Sequence, residues 1–522
     1  MKAWSAANRS YDAVIIGGAI GGLVAAAYLA GGGARVLLVE QRDRFGGRAE
    51  TVEFAQGFRA PLLSHTVFAL DPRVVRELHL VWRGLRFAKR DMRLVALRPG
   101  GQHIVLPRKT CRVRGAFTPA DARAYRAFRK DATAFARRMR PLWNGSAGGL
   151  AGENKDRALA AIVRRLRLSD RDAERLDELS RVSAAGYLDR WLETDALKAA
   201  LSFDVAISGL SPQEAGSALV LIWRYAQVSC GRQAAVSQLR GGPGALAAAL
   251  EAAARRRGAE LRLNAQVTSI VVEGGRAVGV TLASGEIVAA GSVLSCLDRR
   301  RTLLGLVPPG AIGFGAAANL PDYRKVAIAQ LMLGLNGPPP FAGLERRELG
   351  ARMAIAERPE IAAEAKGAAL AGRIPAELVI EATIPTASDP HLAPAGQHVL
   401  SAVLPYMPAA IEGGWAAHRD RLRKQVLGTL ERFAPGLKDR VVAHRMFTPD
   451  DIAARYGGSA AELTAPWSRL LASYDSRIRT PIAGLYLCGR SAEPVNALSG
   501  RAGRLAAGLV FSERPQRKAG VS

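Results

Sequence analysis

The sequence predicts an α/β fold organised around a Rossmann-like nucleotide-binding domain, on three observations. A β-branched run at residues 11–16 leads into a glycine-rich turn, Gly17-Gly18-Ala19-Ile20-Gly21-Gly22, and then into an Ala- and Leu-rich helical stretch at 23–30. A second β-branched run at 36–39 ends on an acid, Glu40. Much later, an apolar run at 484–489 ends in glycine and is followed by a loop and a helical pattern over 499–511, which reads as a buried strand and helix returning to the same layer.

Each part of the opening unit has a physical reason. In G-x-G-x-x-G turns the first glycine makes the tight bend, the second lets the backbone approach a pyrophosphate, and the third lets the helix pack on the strand. Here these positions are Gly17, Ala19 and Gly22, so the middle one carries a methyl group that crowds the phosphate path. The helix that follows offers free N–H groups and the positive end of its dipole to phosphate. Glu40 stands about 20 residues beyond the turn, where a carboxylate accepts from ribose hydroxyls. Next come Arg42, Gly46, Gly47 and Arg48, two glycines for close backbone approach and two fixed positive charges suited to a diphosphate.

The rest of the chain supports the same class. The loop Gly241-Gly242-Pro243-Gly244 opens an Ala-rich helix to about residue 257. Strands are expected at 260–263, 267–272, 277–282 and 286–289, with turns at Gly274-Gly275 and Ser284-Gly285, and a separate return strand at 293–296. Helices are expected at 121–140, 155–166, 170–179, 187–192 and 196–207, followed by an apolar run at 218–223, with strands at 378–383 and 398–406.

Composition narrows the class of function. The 522 residues carry 73 Lys+Arg against 46 Asp+Glu, a net charge of +27, with 49% hydrophobic residues, so neither a disordered tail nor a collagen-like repeat is in question. The basic residues fall in short clusters such as Arg255-Arg256-Arg257 and Arg299-Arg300-Arg301, too short for a nucleic-acid arm, and are expected on solvated faces. The same charge would draw the protein to an anionic membrane surface. Cys111, Cys230, Cys296 and Cys488 form no CxxC pair, which fits a reducing cytoplasm, with peripheral attachment to the inner membrane face as an option. The nearly uncharged stretch 13–39 is too rich in glycine, and too changeable in pattern, for a signal peptide or span. The seven histidines are dispersed and no metal-ligand spacing occurs, so no metal site is expected.

The acid-to-arginine run from Glu40 through Gly46-Gly47-Arg48 resembles the extension found in the FAD-dependent amine oxidase and phytoene desaturase superfamily. Residues 183–191, the Gly241 loop, residues 384–394, Phe447-Thr448-Pro449-Asp450-Asp451 and residues 485–507 extend the resemblance, closest to phytoene desaturase-type flavoproteins, over nearly the whole chain. It implies an FAD domain assembled from residues 1–83, 230–310 and 471–522. It also implies an inserted α+β substrate domain made of a helical part, 84–229, and a sheet-containing part, 311–470. It further implies that Val267 meets the adenine end through its backbone, and that Gly489, Ser499 and Gly500 lie by the flavin and its ribityl chain. Two stretches depart from the pattern. Glu493-Pro494-Val495-Asn496-Ala497 stands where a His-Pro-Gly-Gly-Gly run is usual, and Gly457-Gly458-Ser459 does not continue as the family's glycine-asparagine stretch does.

The chemistry expected is therefore that of a flavin, with the protein supplying position and electrostatics. No second nucleotide fingerprint is present, so electrons taken from a substrate are expected to leave to oxygen, a quinone or another carrier rather than to a resident nicotinamide. Candidates for polar work are Glu493, in the closing loop, and His65, which a satisfied core contact explains equally well. The substrate expected is a small hydrophobic molecule, a polyene or lipid. A flavin amine oxidase is an alternative reading. A third is a binding or scaffold protein that keeps the fold without catalysis, which the Val495-Asn496-Ala497 replacement permits.

Overall fold

The computed structural model describes residues 11–106, 114–115, 117–145, 155–229, 232–313, 320, 325–457, 470–494 and 498–513. Cys111, Cys230, Gly458, Ser459 and Val495-Asn496-Ala497 lie outside them.

The opening sequence folds as its pattern dictates: strand Tyr11–Ile16, helix Ile20–Gly31, strand Val36–Val39. The two strands are parallel, with Ile15 opposite Leu38, and all four positions of the second are buried. A sheet grows from this pair in the order 260–262, 36–39, 11–16, 287–295, 276–282, 267–273, and strand Leu485–Leu487 also pairs with 287–295. Three separate stretches of sequence thus build one layer.

One expectation is corrected here. The stretches 286–289 and 293–296 do not form two strands but one, Ile287–Ser295. Its first half runs antiparallel to Arg276–Leu282, with Val280 opposite Val288. Its second half runs parallel to Tyr11–Ile16 and to Leu485–Leu487. Gly291, between the halves, does not take positive φ and leaves the extended run unbroken.

A second seven-stranded sheet has the order 441–447, 326–335, 398–408, 380–383, 352–355, 94–96, 104–106. Sequence patterning anticipates only two of its strands. Val326–Leu335 is buried at every position, so it shows none of the two-residue alternation that marks a half-exposed strand. The region 84–229 is accordingly less helical than expected: it begins with short strands before the helices Pro119–Trp143, Lys155–Leu166, Asp170–Leu179, Ala184–Asp189, Asp195–Ala206 and Ser217–Ala226. The first of these is capped by Thr118, whose hydroxyl accepts from the Asp121 N–H at 3.0 Å, and it buries Tyr125, Phe128, Ala132, Phe135 and Met139 along one face.

The expectation that the basic residues lie on solvated faces holds only in part. Arg137, Arg138, Arg164 and Arg165 are exposed, but Arg224, Arg352, Arg477 and Arg501 are buried. Arg299, its pKa lowered by burial, donates to the carbonyls of Arg477 and Arg479 at 2.8 and 3.0 Å. A guanidinium is readily placed inside a protein where carbonyls and carboxylates meet its rigid fork. Among the described residues no helix is long and apolar enough to cross a membrane.

Candidate active site

The glycine turn is held by its own geometry. Gly17 has φ +93°, and its N–H reaches the Val39 carbonyl at 2.8 Å. A Cβ on Gly22 would stand 2.2 Å from the Gly17 carbonyl oxygen, so this position needs glycine for helix and strand to meet. Ala19, by contrast, has φ −73° and ψ 175°, a conformation open to any residue. Its methyl faces Gly47, where a Cβ would come within 2.6 Å of it. The methyl at the middle position is thus matched by the absent side chain opposite. Gly46 and Gly47 take φ +113° and +56°, and the Gly46 N–H donates to the Gly18 carbonyl at 2.8 Å.

Glu40 is buried, with one oxygen accepting from the Gly18 N–H at 2.8 Å and the other from the Arg42 N–H at 3.0 Å. Each carboxylate oxygen keeps acceptor capacity for a ribose hydroxyl. Arg42 donates to Glu50 at 3.1 Å and lies 5.1 Å over the Tyr456 ring. Burial pushes the Glu50 carboxyl up, but its bonds with Arg455 and Arg42 hold it below the usual carboxylate range. The Nη1 atom of Arg42 is buried without a hydrogen-bond partner. Such a cation side has a strong demand for an acceptor, and a diphosphate oxygen meets it.

The far wall comes from the ends of two parallel strands. Cys296 follows Ile287–Ser295 and Cys488 follows Leu485–Leu487, continuing the register that sets Ser295 opposite Leu487. The Cys296 thiol beside it, together with burial, raises the Cys488 thiol well above its ordinary pKa. The backbones are pressed together: a Cβ on Gly489 would lie 2.2 Å from the Cys296 carbonyl oxygen, and one on Gly21 would lie 2.0 Å from that of Cys488.

Gly17, Ala19, Glu40, Arg42, Gly46, Gly47, Arg48, Val267, Gly489, Gly500 and Glu493 all line one cavity. Gly22 does not; it works behind the turn. Ser499 does not line it either. Its hydroxyl is bonded to Glu493 and accepts from the Arg501 N–H at 2.9 Å, so it serves the start of helix Arg501–Glu513. Glu493 does the same from the cavity wall, accepting from the Ala502 N–H at 2.9 Å and from the Tyr474 hydroxyl at 2.7 Å. A carboxylate at a helix N-terminus is favoured by the dipole there. Burial and the nearby Glu493 raise the Tyr474 phenol, so it stays protonated as the donor.

His65 belongs elsewhere. It does not line the cavity but is buried against the second sheet, with Nε2 2.8 Å from Glu381 and Nδ1 3.1 Å from the Thr383 hydroxyl. Glu381 accepts from Arg352 at 2.6 Å, Arg352 reaches Asp204 at 2.7 Å, and Asp204 pairs with Arg224 at 2.7 Å. The histidine therefore sits at the end of a buried run of ion pairs, so that of its two readings its bonds match the satisfied core contact and not a place beside the cavity.

Sequence reading also passed over lining residues. Asp298 and Arg301 follow the crossing strand, and Tyr456 arrives from the helix Pro449–Tyr456. Arg301 has a visible signal, the Arg299-Arg300-Arg301 cluster, but a short basic run by itself reads as a solvated face. Tyr456 has none, because nothing local links it to Arg42. Among the described residues no cluster of His, Cys, Asp and Glu could hold a metal ion.

A model of the family described as flavin containing amine oxidoreductase matches residues 20–494. The chain belongs to this family. It is 31% identical to pyridine nucleotide-disulfide oxidoreductase domain-containing protein 2 of Mus musculus, over 98% of this chain and 96% of that protein. It is 25% identical to a neurosporene-forming phytoene desaturase of Cereibacter sphaeroides, over 95% and 93% of the two chains. Putrescine oxidase bound to putrescine shares the fold with a TM-score of 0.60 at 16% identity, over 96% and 99% of the chains. As a member, the protein is an FAD-dependent oxidoreductase, and the residues of the cavity fit that cofactor. Glycines crowd where backbone must approach a ligand, Glu40 faces in as an acceptor, and Arg42 offers an unpartnered donor. When bound, the flavin supplies two-electron redox chemistry, while the chain's groups hold and orient it.

Proposed function

We propose that this protein dehydrogenates a hydrophobic organic substrate, a polyene or lipid, and passes the electrons to oxygen, a quinone or another carrier. The observation that carries this reading is the near full-length likeness to a phytoene desaturase, a relative named for a polyene. The buried faces of the helices Pro119–Trp143 and Ser217–Ala226 support it. Helix Ser217–Ala226 buries Leu219, Val220, Leu221, Ile222 and Trp223, and domain interfaces beside such cores are where apolar pockets form. The fold-level likeness to an amine oxidase supplies no comparable argument for an amine substrate.

Of the two candidates for polar work, Glu493 keeps a place on the cavity, and we assign it the task of fixing Tyr474 and the N-terminus of the last helix beside the flavin. The test is anaerobic mixing of the yellow holoprotein with a panel of lipophilic alkenes, primary amines and NADPH, followed by flavin bleaching. Bleaching by an alkene alone is the expected result. Rapid bleaching by an amine, with peroxide released under air, or by NADPH alone, would overturn the assignment.

A further inference from the structure

Beyond the cavity, the turn after the short helix Pro72–Glu77 carries the only aromatic side chain among the large exposed hydrophobic residues described: Trp82 is 89% exposed, beside Val81 at 43%. The turn is built rather than loose. Leu78, Leu80 and Leu85 are buried beneath it, the Leu80 N–H reaches the Val75 carbonyl at 3.0 Å, and the Leu85 N–H reaches the Leu80 carbonyl at 3.0 Å. The Arg86 guanidinium donates to the Val81 carbonyl at 2.6 Å. A well-ordered turn that holds an indole in solvent has placed it there at the cost of apolar exposure.

The surroundings say what covers it. Residues 72–90 include Arg73, Arg76, Arg83, Arg86, Lys89 and Arg90, but Glu77 as the one acid. That carboxylate is already held by the Tyr28 hydroxyl at 2.7 Å. Arg73, Arg76, Arg86 and Arg90 are exposed. An exposed indole in a segment this rich in exposed arginine matches the headgroup layer of an anionic bilayer, where tryptophan sits at the boundary and arginine meets phosphate. The net charge of +27 draws the whole molecule the same way. We propose that the Val81–Trp82 turn is a membrane-surface anchor that seats this protein on anionic lipid.

The position of the turn gives the anchor a use. Its segment is tied to the closing loop: the Asp71 N–H donates to the Ser499 carbonyl at 2.9 Å, and the Asp71 carboxylate accepts from Arg501 at 3.2 Å. Val74 lies 3.5 Å from where a Cβ on Gly500 would stand, and Gly500 lines the cavity. The segment that leads into this turn is therefore joined directly to the loop that closes the flavin site. The anchor itself does not depend on which substrate is used.

Co-sedimentation of the holoprotein with vesicles tests it, comparing phosphatidylcholine alone with phosphatidylcholine containing phosphatidylglycerol, at low and moderate salt. The wild type is expected to pellet with the anionic vesicles at low salt only. Trp82→Ala is expected to lower the partition roughly tenfold, as loss of one interfacial indole implies. Its flavin content and melting temperature should stay unchanged, since the side chain touches solvent. Binding that Trp82→Ala leaves intact would reduce the effect to net charge and overturn the anchor. So would absence of binding to anionic vesicles, including the case where the turn captures only an acidic protein.

Discussion

At Ala19 a single methyl group decides what can stand across the turn. The family's spacing leads one to expect a wider or weaker phosphate loop at that position, yet the backbone there is ordinary and the methyl is accommodated by Gly47. The exchange predicts an asymmetry. Gly47→Ala should destabilise the holoprotein by about 1–3 kcal/mol and lower its flavin content, because the new methyl meets Ala19 and must take φ +56°. Ala19→Gly should keep full flavin, and adding it to Gly47→Ala should recover part of the loss, since it removes the clash but not the strain. Flavin absorbance per chain and thermal melting read both effects. Gly17, Glu40, Gly46 and Gly47 were legible in the sequence because their roles follow from short-range spacing. His65 was not, because its partner Glu381 lies 316 residues away and no local pattern announces it.

Between elements, the buried charges and the glycine contacts do the fastening. Glu381 stands on strand Ile380–Thr383, while Asp204 and Arg224 stand on helices Asp195–Ala206 and Ser217–Ala226, so the chain through Arg352 fastens the second sheet to the helical layer. Burial pushes the Glu381 carboxyl up, but Arg352 and His65 draw it well below the usual range. Asp204 is likewise lowered by Arg224 and Arg352 against the effect of burial. A carboxylate depressed in the folded state contributes stability above its unfolded pKa, about 4, and loses it as pH falls toward the folded value. Glu381→Gln should therefore cost about 3–5 kcal/mol at neutral pH, with the gap to wild type closing in acid. Melting curves across pH measure that gap, and one that stayed constant into acid would contradict the ion-pair account. The first and last helices meet through Gly503, where a Cβ would lie 2.1 Å from the Gly21 carbonyl oxygen. Gly503→Val should force them apart and release flavin, whereas Gly508→Ala, on the same helix with open space around it, should be silent in the same flavin assay.

On the scale of the molecule, the nucleotide-binding layer was readable and the second sheet largely was not. The first is announced by alternations of β-branched and Ala-rich runs separated by glycine turns. The second hides in fully buried strands such as Val326–Leu335, and its edge pair, Leu94–Ala96 and Ile104–Leu106, lies in a region dominated by helical periodicity. The net charge misled in a similar way. Counting residues cannot tell Arg137 in solvent from Arg352 inside the protein, because burial of a guanidinium is decided by carboxylates that arrive from elsewhere in the chain.

The strand Ile287–Ser295 has neighbours made at very different times. Tyr11–Ile16 leaves the ribosome hundreds of residues before Leu485–Leu487 does. During synthesis the half-built layer must wait with one side of its helix Ile20–Gly31 uncovered, since Arg501–Glu513, which packs there, has yet to emerge. A nascent chain of this kind has no finished seat for its cofactor, and an apolar face open to chaperones, until the strand Leu485–Leu487 and the helix Arg501–Glu513 have emerged to complete the layer.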